Sequence, residues 1–266
     1  MGERIVQIRD VEHFHWQLSE SECRVPFSSN GASLSLAAAA ELALLDAHLK
    51  AGNARVRSAR KSIWGLIRES RWPHRNGHAK LSDGDATVIV LPSDSDDRWW
   101  MECIRSLMAD LVANGFALPL SRGLAGAVIE MVDNTWLHSD ATSLNLLAYQ
   151  VRRRKFAFSV VDTGIGMLES LKRNPRLRYL SSSMEAIGKA IEPGVSRFEH
   201  GGMGFPSLFH ALASFWGTVR IRSGEAALVI DHTRADRSKA STYLPHLPGT
   251  HISVRCALDP PSIAQN

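Results

Sequence analysis

The chain has 266 residues, of which 44% are hydrophobic and 22% charged, values close to those of soluble globular domains, so wholesale disorder is excluded. Thirty-one basic residues against twenty-seven acidic ones leave a net charge of only +4, a bias compatible with a polyanionic ligand but too small for a nucleic-acid footprint. Cys23, Cys103 and Cys256 lie far apart without metal-ligand spacing, which argues against a disulfide framework or zinc site, and the lack of any apolar leader or long apolar run reads as a soluble cytoplasmic protein with no membrane span.

In chain order, Ser33–Leu49 is rich in Ala and Leu and predicts a helix, with Ser58–Glu69 as a shorter second one. Arg71–Asp85 carries turn formers and little apolar pattern, and reads as a linker or long loop. The β-branched run Ala86–Pro92 predicts a strand and Trp99–Ala113 a helix. Residues 1–92 are therefore expected as a small α/β region, 93–258 as a second domain and 259–266 as a tail.

In the second region Leu124, Val128, Met131, Val132 and Thr135 recur at helical spacing, so Ser121–Ser139 predicts an amphipathic helix. Two alternating runs, Leu144/Leu146/Ala148 and Phe156/Phe158/Val160, flank a basic turn at Arg152–Lys155 and predict a hairpin. Met167–His200 is polar, basic and broken by Pro175, Pro193 and Gly194; so long an irregular segment usually has a function. A helix over Phe205–Phe215 follows, then strands at Thr218–Arg222, Ala226–Asp231 and Thr250–Arg255, completing a mixed sheet.

Three constellations carry chemistry. Glu130 and Asn134 stand four residues apart, on one helical face; a carboxylate there can take a proton from a nucleophile and an amide oxygen suits Mg²⁺, although the same pair also decorates many solvent-facing helices. Asp162 ends a hydrophobic strand and enters a turn with Gly164 and Gly166. Glycines allow close backbone approach to a ligand, and a buried carboxylate needs a donor such as an exocyclic amine; an ordinary Asx turn is the plain alternative. His200–Pro206, with Gly202 and Gly204, opens a helix whose free N–H groups favour an anion such as a phosphate chain, or else forms a simple hinge. His138, near the end of the first of these helices, fits a capping or core histidine better than a catalytic one.

The ordered set resembles the N, G1 and G2 boxes of the GHKL superfamily of Bergerat-fold ATPases and kinases, and Pro248-Gly249-Thr250 resembles that family's last strand. The phrases Asp133–Ser139 and Ala190–Phe198 are most similar to bacterial anti-sigma-factor-type serine kinases, whose ATPase domain is accompanied by a STAS-like domain, here an option for the N-terminal region. The resemblance covers about half the chain. It implies a two-layer α/β sandwich binding ATP and Mg²⁺, with Glu130 as general base, Asn134 as metal ligand and Asp162 as adenine anchor. Gly164 and Gly166 would give backbone contacts, Gly202 and Gly204 would cradle phosphates, and Thr250 would lie under the base. Phe205 in place of the usual Leu, and the bulky Trp136, depart from the family pattern.

Two functions from different classes follow. Either Glu130 activates water or a protein serine hydroxyl, giving a slow ATPase or a kinase, or ATP merely orders the basic segment so that a regulatory protein partner docks; a homodimer is compatible with both. A histidine-kinase fragment is disfavoured, because the helix-borne His48 lacks a following acid.

Overall fold

The computed structural model describes residues 4–19, 32–49, 68, 76–81, 84–92, 97–138, 140, 144–196, 204–231 and 239–260. Strands β1 (Arg4–Val6) and β2 (Ala32–Leu34) pair in parallel, and each feeds a helix, α1 (Ile8–Ser19) and α2 (Leu36–His48). The Ala- and Leu-rich run becomes helical only from Leu36, because Ser35 stays extended and its hydroxyl accepts the Ala38 N–H at 3.4 Å as an N-cap. Of the helix expected over Ser58–Glu69 only Arg68 is described.

The expected linker at Arg71–Asp85 contains a strand. β3 (Gly77–Leu81) pairs with β4 (Gly84–Val90), with His78 and Lys80 exposed and Ala79 and Leu81 buried. Its short, half-polar pattern is what an edge strand requires, and the same pattern resembles a loop when read along the chain alone. Next come α3 (Asp97–Ala113), α4 (Leu118–His138), β5 (Asn145–Arg152) and β6 (Lys155–Asp162). The β5–β6 turn holds Arg153 and Arg154 at φ of 45° and 64°, a conformation non-glycine residues seldom adopt. Both amides are held by Asn114, Arg153 N–H by its side chain at 3.1 Å and Arg154 N–H by its carbonyl at 2.9 Å.

The segment after β6 is more ordered than its composition suggests. It forms α5 (Gly166–Lys172), a 3₁₀ turn (Pro175–Leu177) and α6 (Ser183–Ala190), around a small core of Leu171, Leu177, Leu180 and Ala186. Ser182 caps α6 by accepting from Glu185 N–H at 3.2 Å, while the Glu185 carboxylate accepts from Ser181 N–H at 2.8 Å. The chain then runs through α7 (Gly204–Leu212), β7 (Trp216–Asp231) and β8 (Lys239–Ala257). The two strands expected at Thr218–Arg222 and Ala226–Asp231 are one, interrupted by register shifts at Ser223 and Gly224.

Six strands form one sheet in the order β3-β4-β5-β6-β8-β7, and every pair in it is antiparallel, so the expected mixed sheet is corrected. The run β6–helices–β7 suggests a parallel pair. In the fold β8 lies between those two strands, antiparallel to both. The sheet also crosses the expected boundary after residue 92, because β4 pairs with β5.

Helices cover both faces. On the front face α3, α4 and α7 pack on Leu147, Phe156, Phe158, Val160, Val219, Ile252 and Val254. On the back face α2 packs on Val88, Leu146, Ala148 and Val161. The helices expected over one face are thus joined by a second layer, which is why residues 145–150 of β5 are buried without alternation. Each fully buried Leu, Val or Phe in these layers stabilises the fold by roughly 1.5–3 kcal/mol relative to exposure. No helix among the described residues is long and apolar enough to cross a membrane.

Candidate functional site

Strand alternation decides which residues meet at the end of the sheet. Asp162 pairs with Asn145 on one side and with Thr250 on the other, and Thr250 pairs with Ser223. Directly opposed residues share a face. Asn145, Asp162, Thr250 and Ser223 therefore form a polar row across β5, β6, β8 and β7, on the front face beyond the apolar positions Leu147, Val160, Ile252 and Ile221.

Asp162 is buried, with 4% of its surface exposed. One carboxylate oxygen accepts the Gly164 N–H at 2.8 Å, and Thr250 donates from both its backbone N–H and its hydroxyl. Burial dominates these neutral donors and pushes the carboxyl up to about 7, while the hydrogen bonds oppose the shift. The turn beyond it is fixed by a hydroxyl. Ser223 Oγ accepts the Met167 N–H at 2.8 Å and donates to the Gly249 carbonyl at 3.0 Å. Gly249 (φ +85°) is pressed so closely on β6 that a Cβ would lie 1.9 Å from the Asp162 carbonyl oxygen. At Gly166 (φ +75°) a Cβ would lie 2.9 Å from Ser223 Oγ and 3.3 Å from the Gly249 carbonyl oxygen.

The other two motifs approach from the helical layer. Asn134 and Glu130 lie half-buried on α4, and Gly204, the first residue of α7, sits so close to Asn134 that a Cβ would be 3.1 Å from its amide nitrogen. That contact brings the first and third constellations together. Burial raises the carboxyl of Asp133, and the neighbouring charge of Glu130 adds to the shift. The end of α4 is tied to the sheet end: Trp136 Nε1 donates to the Pro92 carbonyl at 2.8 Å, and the adjacent Leu91 N–H donates to the Asn145 carbonyl at 2.8 Å. Trp136 also meets the buried Trp100 edge-on at 5.6 Å.

Gly202 lies outside the described residues, as do Arg197 of the basic segment Met167–His200 and the side chain of His138. Of the basic residues after Gly166, Lys172 pairs with Glu169, Arg173 with Asp140 and Lys189 with Glu192. Arg176 and Arg178 are exposed and have no ion-pair partner among the described residues. No group of three or more His, Cys, Asp or Glu side chains among those residues is arranged to hold a metal ion. A cavity of about 140 Å³ lies on the back face, lined by Gln7, Ser35, Gln150, Arg220 and Arg255 among others, and none of the motif residues lines it.

Reasoning from sequence missed Asn145 and Ser223. Their local signals are weak: a polar residue ahead of the apolar run Leu146–Tyr149, and a Ser-Gly pair interrupting another strand. No protein-family model matches the chain, and no curated protein matches it.

Proposed function

We propose that the chain binds ATP with Mg²⁺ at the front-face end of the sheet, in a GHKL-type site. The observation that carries this reading is the buried Asp162 carboxyl in a row of polar groups, held by neutral donors only and next to two glycine turns locked together by Ser223. A carboxylate in that setting is stabilised by an amine donor, which adenine supplies at N6, and Thr250 beside it supports the ring.

Gly204 lets the start of α7 approach Asn134 closely, a Cβ there standing 3.1 Å from the amide nitrogen, and free N–H groups at that helix start suit a phosphate chain. Asn134 would hold Mg²⁺ through its amide oxygen, and the ion would neutralise phosphate charge while keeping water and phosphate ligands. Glu130, one helical turn before Asn134, would accept the proton of an attacking hydroxyl, from water or from a protein serine. Arg176 and Arg178, free of acidic partners among the described residues, are the candidates for the terminal phosphate.

Calorimetric titration of the whole chain with a non-hydrolysable ATP analogue and Mg²⁺ tests the site. Saturable binding that Asp162→Ala abolishes, with the variant still folded, is expected; absence of binding by the wild type removes the reading. Phosphate release or transfer that Glu130→Gln abolishes while binding persists would assign the chemistry. Binding without turnover would leave an ATP-gated interaction switch.

A further inference from the structure

Asn145 opens β5 directly across from Asp162 and shares its face of the sheet. Its side chain is buried, with 7% of the residue exposed, and Oδ1 has no hydrogen-bond partner among the described residues. The backbone of the same residue is engaged in the sheet end, since its carbonyl accepts from Leu91. A buried amide oxygen without a donor costs about 1–3 kcal/mol, and native folds keep few of them. The next front-face positions on β5 and β6, Leu147 and Val160, are apolar, so a leucine at 145 would continue the pattern without that cost.

We propose that Asn145 Oδ1 is a second acceptor for the exocyclic amine of the bound base, beside Asp162, and that the pair selects adenine over 6-oxo purines. The inference rests on the nucleotide reading above. Facing side chains on neighbouring strands stand roughly 4.5–5.5 Å apart at Cβ, which suits two acceptors receiving the two hydrogens of one amine. With Asp162 ionised, the state an amine donor favours, the carboxylate and the amide oxygen would both oppose the carbonyl oxygen that hypoxanthine and guanine carry at the same place, and unpaired buried polar groups make such rejection strong. Asn145 is thus a specificity residue that leaves the phosphate end untouched.

The test is calorimetric binding of the adenosine and inosine forms of one non-hydrolysable triphosphate, with Mg²⁺, to the full chain and to Asn145→Leu. The wild type is expected to prefer the adenosine form, and the variant to lose about tenfold of that preference, the effect of one hydrogen bond to a buried acceptor. A folded variant with the wild-type ratio overturns the proposal. Asn145→Ala, read in the same way, serves if the leucine variant does not melt cooperatively. On the wild type alone, an N6-methyl analogue, which keeps one amine hydrogen, is expected to bind about tenfold more weakly; binding equal to the parent overturns the second acceptor. Failure of the wild type to bind either nucleotide removes the nucleotide site itself and the proposal with it, whereas binding of both forms alike leaves a nucleotide site and overturns only the selection by Asn145.

Discussion

Thr250 and His251 are consecutive, as are Arg222 and Ser223, yet the members of each pair face opposite sides of the sheet and meet opposite chemistry. On the back face the fully buried Glu41 of α2 accepts from Arg220 at 2.7 Å, from Arg222, and from His251 Nδ1 at 3.0 Å. Arg220 also pairs with Glu12, and Arg222 donates to the Pro245 carbonyl and to His15 Nδ1, both at 2.9 Å. Burial pushes Glu41 up, but the two arginines and His251 outweigh it and hold the carboxyl well below its ordinary range. On the front face burial acts on Asp162 in the same direction, only neutral groups oppose it, and the carboxyl rises to about 7. Equal burial gives opposite signs because the partners differ in charge. The back face is closed by charges the chain itself supplies; on the front face only neutral groups act against the burial of Asp162, and a donor there is what the proposed ligand would add.

The largest expected effect breaks the back face. Glu41→Ala leaves Arg220 and Arg222 buried beside each other without their shared carboxylate, and removal of one partner from a buried ion pair typically costs about 3–5 kcal/mol. Chemical denaturation should show a loss of that size or no cooperative fold. A variant as stable as the wild type would mean that the network does not fasten α2 to the sheet. Gly249→Ala comes next. Its Cβ would collide with the Asp162 backbone from a positive-φ position, so a loss of about 2 kcal/mol or more is expected in the same assay. Nucleotide binding should disappear with it, since the collision displaces Asp162 itself.

Much of the front face is legible in the sequence because its signals are local. Helical spacing places Glu130 and Asn134 together, and the strand-then-glycine phrase places Asp162 at a strand end. The back face is not legible, because Glu41 is separated from Arg220, Arg222 and His251 by about 180–210 residues. A glutamate inside an Ala- and Leu-rich helix looks like its solvent side until the sheet it packs on is known. The antiparallel order is hidden for the same reason, since the insertion of β8 between β6 and β7 leaves no trace in either strand's own pattern. Asn145 and Ser223 are hidden more simply: a single polar residue in a strand is common, and only the cross-strand register turns it into part of a row.

A smaller effect sharpens the contrast through pH. Asp162 is raised from 3.8 to about 7, so its contribution to the stability of the unliganded fold is full below about pH 4 and is lost as pH rises through about 7. His15 is lowered from 6.5 to about 4, first by burial and then by Arg222; its contribution is full above about 6.5 and is lost as pH falls through about 4. The two oppose each other across the same window and flatten the wild-type profile. Asp162→Asn removes the cost of holding a buried carboxylate ionised. It should therefore stabilise the unliganded protein by about 1–3 kcal/mol at pH 8, each tenfold change in a proton-binding constant being worth roughly 1.4 kcal/mol, and should leave a profile that climbs from pH 4 to 6.5. His15→Phe should leave one that falls. Thermal melts across that range check both, and a destabilised Asp162→Asn at pH 8 would show that the front-face carboxylate already has a charged donor within the chain.

The smallest expected effect is at Gly204, where the clash is with the end of a side chain rather than with backbone. An alanine Cβ would stand 3.1 Å from Asn134 Nδ2 and 3.5 Å from Met131 Cε, separations that a few tenths of an ångström of side-chain movement relieve. Alanine is also the better helix former by about 1 kcal/mol in a helix interior, less at a first residue, so Gly204→Ala should change the melting midpoint little. Its consequence should fall on the ligand: Asn134 is the side chain that yields, and its amide is the proposed Mg²⁺ ligand. Affinity for the ATP analogue should drop more in the presence of Mg²⁺ than in its absence, which separates displacement of Asn134 from simple crowding of the phosphates. An equal drop under both conditions would place the constraint at the start of α7 and free Asn134 from the metal role.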